Sequence, residues 1–249
     1  MGTSKSIPMV SQPRDKIVVV TGANTGVGYE TAKFIAMMGA HVVLACRSEE
    51  KARDAMRRMN EEFQTEKQLR ADNVITDDEL DIEFMKLDLA SLKSTKAFID
   101  NFKAKHKKLN LLICNAGIYS SHQVTTEDNF DLTYQVNYLS HFLIVAHLLP
   151  TMKVSGNDCR IILVSGQVKA PHAGAATSIY AAITPDLEGF SRAYYTQSKS
   201  APRWPSSDSR SEDMQTYLFE STKELLKSYL TPEILRELEL TPKITKTEH

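Results

Sequence analysis

At 249 residues, with 42% hydrophobic and 24% charged residues, the chain is long enough to bury a sizeable core and too apolar to remain unfolded. Thirty Lys and Arg against thirty-one Asp and Glu leave a formal net charge of −1, so no global field draws it to nucleic acid or to an anionic membrane. Cys46, Cys114 and Cys159 are far apart, form no C-x-x-C pair and are accompanied by no N-x-[ST] sequon. That pattern predicts small buried thiols in a reducing compartment, the cytosol or the cytosolic face of a membrane.

Residues 1–13 read as a flexible N-terminus. Gly2 and Ser6 there match the M-G-x-x-x-[ST] myristoylation pattern, and one acyl chain gives only marginal, reversible membrane attachment. Lys16–Val20 is a β-branched run ending in Thr-Gly, and Val27–Met38 carries Val27, Phe34, Ile35 and Met38 at helical spacing. A second strand (His41–Cys46) and helix (Ser48–Phe63) follow, then a polar, aperiodic insertion over Thr65–Asp81. The pattern continues with strand Ile82–Leu87, helix Ser91–Lys105, strand Leu109–Cys114, one long helix over Glu127–Met152, and strand Arg160–Ser165. Continuously apolar strands alternating with helices predict a single α/β domain, 14–249, built on a doubly wound parallel sheet of the Rossmann type. The longest apolar stretch, Phe142–Met152, is too short to span a bilayer.

After Ser165 the rhythm changes. A short helix over Ala173–Ile183, a short strand over Arg192–Thr196, a Pro- and Ser-rich loop over Ser200–Ser211 and an amphipathic helix over Ser211–Tyr229 are expected, with a frayed tail beyond Thr231.

Between the first strand and first helix stands Thr21-Gly22-Ala23-Asn24-Thr25-Gly26-Val27-Gly28. Gly22 permits a sharp exit from the strand, Gly26 lets backbone approach a pyrophosphate, and Gly28 lets helix and strand pack closely; the helix N-terminus offers N–H groups to phosphate. Asn24, Thr25 and Val27 complete the turn. About 20 positions on, where Asp or Glu would bind the ribose hydroxyls of NAD, the chain has Arg47, whose guanidinium suits a 2′-phosphate. NADP is favoured over NAD.

The turn Thr21–Gly28, Asp88-Leu89, Asn115-Ala116-Gly117 and Val136-Asn137 together resemble the short-chain dehydrogenase/reductase superfamily. The segments TGANTGVGYETAKFIA, HVVLACRS, LLICNAGIY and QVNYLSHFLIVAHLL resemble its retinol dehydrogenases and the oxidoreductase domain of WW-domain-containing oxidoreductases. The resemblance is nearly continuous over 14–165, and 166–249 reads as an abbreviated C-terminal part. It implies that Asp88 and Leu89 border the adenine, that Asn115, Ala116 and Gly117 line the coenzyme near the ribose, and that the substrates are small-molecule alcohols and carbonyls such as retinoids.

The resemblance also implies a Ser, a Tyr and a Lys for hydride transfer, the last two spaced Y-x-x-x-K on one helix, with an asparagine supporting a water relay. Asn137 matches the asparagine. Tyr195-Thr-Gln-Ser-Lys199 fits the pattern literally, yet Pro202 and Pro205 end any helix within a turn of Lys199. The neighbouring segments Gly174–Ala182, Pro185–Gly189 and Tyr194-Tyr195 resemble the family's carboxy-terminal part, which follows the catalytic helix. Relatives end the fifth strand Val-Ser-Ser, the second serine being catalytic; here Val164-Ser165 precedes Gly166. Asn137, Ser165, Tyr195 and Lys199 are thus the best available catalytic set, with Tyr195 and Lys199 a fortuitous match. The chain reads as lacking a family segment between Ser165 and about Ala170, as a splice variant would, and is expected either to turn over carbonyls or to be a catalytically dead nucleotide-binding or protein-interaction form. His141 and His147, six apart on a helix, cannot share a metal, and His41, His106, His122 and His172 are scattered, so no metal site is expected. The Lys103–Lys108 cluster suits a helix C-terminus.

Overall fold

The computed structural model describes residues 10–69, 79–165, 171–188, 195–196, 199–200, 209 and 211–240. The β-branched run after Lys16 forms β1 (Ile17–Thr21), and the glycine turn starts α1 (Gly26–Met37). Then come β2 (His41–Cys46), α2 (Glu49–Leu69), β3 (Ile82–Lys86), α3 (Leu92–Lys105) and β4 (Leu111–Cys114). Next are α4 (Leu132–Tyr134), a π-helical turn (Gln135–Leu139), α5 (Ser140–Lys153) and β5 (Arg160–Leu163). The C-terminal part holds α6 (Pro171–Ile183), a two-stranded antiparallel ribbon of β6 (Tyr195–Thr196) and β7 (Lys199–Ser200), α7 (Glu212–Leu225) and α8 (Pro232–Leu240).

Five strands pair in parallel in the order β3-β2-β1-β4-β5. Because side chains alternate across a strand, β1 sends Val18 and Val20 to one face and Val19 to the other. The first face is covered by α1, α2 and α6 through Ile35, Met38, Met59, Phe63 and Ile179. The second is covered by α3 and α5, and by the C-terminal helices, through Phe98, Phe102, Leu143, Leu148, Leu226 and Ile234. Each such fully buried side chain contributes about 2 kcal/mol of transfer free energy. The two-sided cover explains why β1, β2 and β4 are unbroken apolar runs.

Three expectations need correction. The helix read over Glu127–Met152 begins only at Leu132: Asp131 accepts a hydrogen bond from the Tyr134 amide at 2.9 Å, and Asn129 before it takes a left-handed φ of 63°. A capping Asp and a turn-forming Asn outweigh the helix propensity of residues 127–131. The tail beyond Thr231 is not frayed as far as Leu240. It forms α8, whose Ile234 and Leu238 are buried against α5, with Lys153 Nζ to Glu237 Oε2 at 2.7 Å. The insertion over Thr65–Asp81 is helical to Leu69, and 70–78 lie outside the described residues.

Cys46 and Cys114 are buried, and Cys159 is half-buried. Burial pushes the first two thiols up to about 11 and about 12, which makes them poor nucleophiles. Among the described residues no helix is long and apolar enough to cross a membrane. Gly2 and Ser6 lie outside the described residues.

Candidate functional site

Between β1 and β4 the sheet reverses its winding, and open parallel sheets bind ligands at that point, beyond the carboxyl ends of the strands. A cleft of about 1060 Å³ opens there. From the first βα turn, Gly22, Asn24, Thr25 and Val27 line it; from the end of β2, Arg47; from the end of β3, Asp88 and Leu89; from the end of β4, Asn115, Ala116 and Gly117. Asn137 and His141 close it from the α5 layer, and Leu163 and Ser165 from the end of β5.

The glycines act differently. Gly22 turns the chain at φ +65°, and a Cβ there would meet Ala116 Cβ at 3.0 Å. A Cβ on Gly28 would lie 2.3 Å from Asn115 Nδ2 and 2.6 Å from the Gly22 carbonyl, so only glycine lets α1 sit this close to β4. Gly26, at φ +64°, has open space where its Cβ would be. Thr25 caps α1 without a side-chain hydrogen bond and the first turn holds no acidic residue. First-turn amides with no side-chain cap, beside an open glycine, are what an anionic oxygen needs.

Thr21 joins the glycine turn to the next wall. Its Oγ1 accepts from the amides of Asn115 and Ala116, both at 2.9 Å, while Asn115 Nδ2 donates to the Thr21 carbonyl at 2.9 Å. With two donors already on that oxygen, the nearer acceptor for its own proton is His141 Nε2 at 3.0 Å, the Ile113 carbonyl lying at 3.5 Å. His141 therefore carries its proton on Nδ1, which faces the Asn137 carbonyl at 3.4 Å. Burial drops the His141 pKa to about 4, so the ring stays neutral.

Asn137 sits in the π-helical turn, a distortion frequent at functional sites. Its Nδ2 donates to the Ile118 carbonyl and its Oδ1 accepts from the Ile118 amide, both at 2.8 Å. Asp88 is pinned likewise, Oδ1 accepting from the Ala90 amide at 3.0 Å. Ser140 Oγ donates to the Leu89 carbonyl at 2.7 Å. Arg47 is exposed, its carbonyl held by Lys86 Nζ at 2.5 Å.

The remaining candidates do not assemble. Ser165 is exposed at the cleft wall, and Gly166 lies outside the described residues. Tyr195 and Lys199 lie on facing strands of the β6–β7 ribbon, Tyr195 opposite Ser200 and Lys199 opposite Thr196, rather than one helical turn apart. The Tyr195 ring meets Tyr180 of α6 edge-on at 6.1 Å, in the layer that α6 shares with α1, whereas Asn137 belongs to the α5 layer. Burial, then Tyr180, raise the Tyr195 pKa, the direction opposite to what proton donation near neutrality requires. Sequence reasoning missed Thr21 and His141 as organisers of the cleft; His141 was legible as the residue one helical turn after Asn137.

A family model described as short chain dehydrogenase matches residues 16–200. The chain belongs to the short-chain dehydrogenase family. Human WW domain-containing oxidoreductase is 41% identical over 161 residues, 64% of this chain and 35% of the relative. Human retinol dehydrogenase 11 is 42% identical over 150 residues, 60% of this chain and 42% of the relative. Among solved structures, L-sorbose reductase from Gluconobacter frateurii, complexed with NADPH and L-sorbose, matches with a TM-score of 0.45 and 20% identity, covering 60% of this chain and 51% of that one. The chain thus spans about a third of the length of the WW domain-containing oxidoreductases it matches, 35% for the human protein.

Proposed function

We propose that this short-chain dehydrogenase chain binds a nicotinamide dinucleotide in the cleft, prefers NADP(H) to NAD(H), and lacks the proton-transferring pair of its family. The observation that carries the first part is the pairing of an open Gly26 and an uncapped α1 N-terminus with Arg47 at the end of β2. First-turn amides hold the pyrophosphate, and Arg47 takes the 2′-phosphate, where a carboxylate would repel it. Asp88 and Leu89 border the adenine; Asn115, Ala116 and Gly117 line the ribose, the first two held by Thr21. When bound, the coenzyme supplies a hydride donor or acceptor for a carbonyl or alcohol carbon. The family's substrates, and the name of the retinol dehydrogenase relative, point to retinoid-like alcohols and aldehydes.

The second part rests on the chain's own groups. A phenol must meet the substrate oxygen within hydrogen-bond reach while a nearby ammonium lowers its pKa. Tyr195, packed on Tyr180 with a raised pKa and set in a ribbon on the far layer, meets neither condition. Asn137 spends both side-chain atoms on Ile118, and Ser165 alone cannot move a proton between substrate and solvent. The missing piece is the segment that relatives carry after the fifth strand.

Purified chain titrated with NADPH, with nicotinamide fluorescence as readout, and then given a panel of aliphatic and retinoid aldehydes tests both parts. Saturable binding that exceeds NADH binding, with no coenzyme oxidation by any aldehyde, is expected. Absent NADPH binding overturns the first part, and one aldehyde that turns over overturns the second.

A further inference from the structure

The amino ends of the strands, on the side of the sheet away from the cleft, hold a second cluster. His41 opens β2, and period-two alternation puts it on the same face as Val43, whose register partner on β3 is Glu83. The same face is covered by α3, which ends in His106 at its C-cap, the ring against Phe102 at 4.9 Å. Three residues from three elements therefore converge: Glu83 Oε1 is 3.1 Å from His41 Nε2 and 2.5 Å from His106 Nε2. All three side chains are largely shielded, at 19%, 15% and 10% exposure for His41, Glu83 and His106.

The outer contacts already have the form that metal-binding histidines use. His41 Nδ1 lies 2.7 Å from Asp81 Oδ1, so a ring that donates there presents its Nε2 lone pair inward. A ligating histidine usually gives its other N–H to a carboxylate, which fixes tautomer and orientation. Lys105 Nζ occupies Glu83 Oε2 and leaves Oε1 for the centre. We propose that His41, Glu83 and His106 form a zinc site, with solvent as the fourth ligand, that ties β2, β3 and the end of α3 together.

The donor set is two imidazoles and one carboxylate, which suits Zn²⁺ and not Mg²⁺ or Ca²⁺, cations that need six or more oxygens. All three donor atoms lie within 4.8 Å of one another. Tetrahedral ligands about 2.1 Å from zinc stand roughly 3.4 Å apart, close to the His41 contact; the His106 contact has to open by about 1 Å. The site sits roughly 20 Å from Arg47, six residues along the strand direction from His41 at about 3.3 Å per residue, so it holds the scaffold and takes no part in the chemistry of the cleft. The expectation of no metal read His41 and His106 as scattered, which they are in sequence; a parallel register and a helix end bring them together.

Full-length chain stripped with a chelator and titrated with Co²⁺ reads the site directly. One equivalent with the visible absorption of a four- or five-coordinate ion, discharged by Zn²⁺, is expected, with a melting midpoint raised by roughly 5 °C in excess Zn²⁺ and unmoved by Mg²⁺. His106→Gln keeps a donor toward Glu83 and should lose the absorption. Mapping carbethoxylation by mass spectrometry needs no variant: Zn²⁺ should protect His41 and His106 and leave the exposed His122 reactive. Absence of the absorption, its survival in His106→Gln, or equal modification of His41 and His106 with and without Zn²⁺ overturns the proposal and leaves a hydrogen-bonded ion cluster.

Discussion

The glycine turn after β1 and the Tyr195–Lys199 stretch are both short family patterns, matched letter for letter, and the fold treats them in opposite ways. The turn lies on the strand–turn–helix unit its chemistry requires, with Gly28 wedged against Asn115 and Gly26 facing open space. The tyrosine and lysine lie on a two-stranded ribbon in which Lys199 pairs with Thr196, the neighbour of Tyr195, and so takes the opposite face. A motif carries chemistry only through the element that hosts it.

Substitutions sharpen that contrast, and the largest effect is expected at the turn. Gly28→Ala forces a Cβ into the Gly22 carbonyl and the Asn115 amide; it should cost about 3 kcal/mol in urea unfolding and abolish NADPH binding. Retained binding with unchanged stability would mean that α1 can slide and that the fit is loose. Acid should weaken the same wall. His141 titrates near 6.5 when unfolded and at about 4 when folded, so below pH 6.5 the unfolded chain binds more protons and stability falls, by about 3 kcal/mol once pH 4 is passed. Burial, partly offset by the Tyr229 carbonyl, lowers His147 in the same direction. The urea midpoint followed from pH 7 to pH 4 should drop steeply in the parent and less so in His141→Asn; equal slopes would contradict the assigned role.

Arg47→Asp should weaken NADPH about tenfold, or about 1.4 kcal/mol, and leave NADH unchanged or improved, as read by parallel fluorescence titrations. The smallest effect is expected in the ribbon. Tyr195→Phe keeps the ring on Tyr180, so stability should stay within about 0.5 kcal/mol and NADPH affinity should not move. A large change in either would give Tyr195 a role that its position does not explain.

Much of this was legible in sequence because it is local. Apolar runs of four to six residues, helical spacing between them and a glycine turn gave the alternation, the strand positions and the cleft residues from Gly22 to Asn137. What was not legible depends on distant partners. α8 exists because Ile234 and Leu238 find α5, although its nine residues are too few to be helical alone. The helix start at Leu132 depends on one capping carboxylate, and the approach of His41 to His106 on strand register. Boundaries and cross-element contacts of this kind leave no periodic trace.

Among the described residues, β5, the last strand of the sheet, has a neighbour on one side only. The amides of Arg160 and Val164 bond inward to Asn110 and Cys114, so by alternation those of Ile161 and Leu163 face outward. With Leu163 also 70% exposed, this margin is a ready template for another extended chain. Concentrated solutions should therefore accumulate intermolecular β-structure from this border first, and a single Leu163→Lys change should delay its onset.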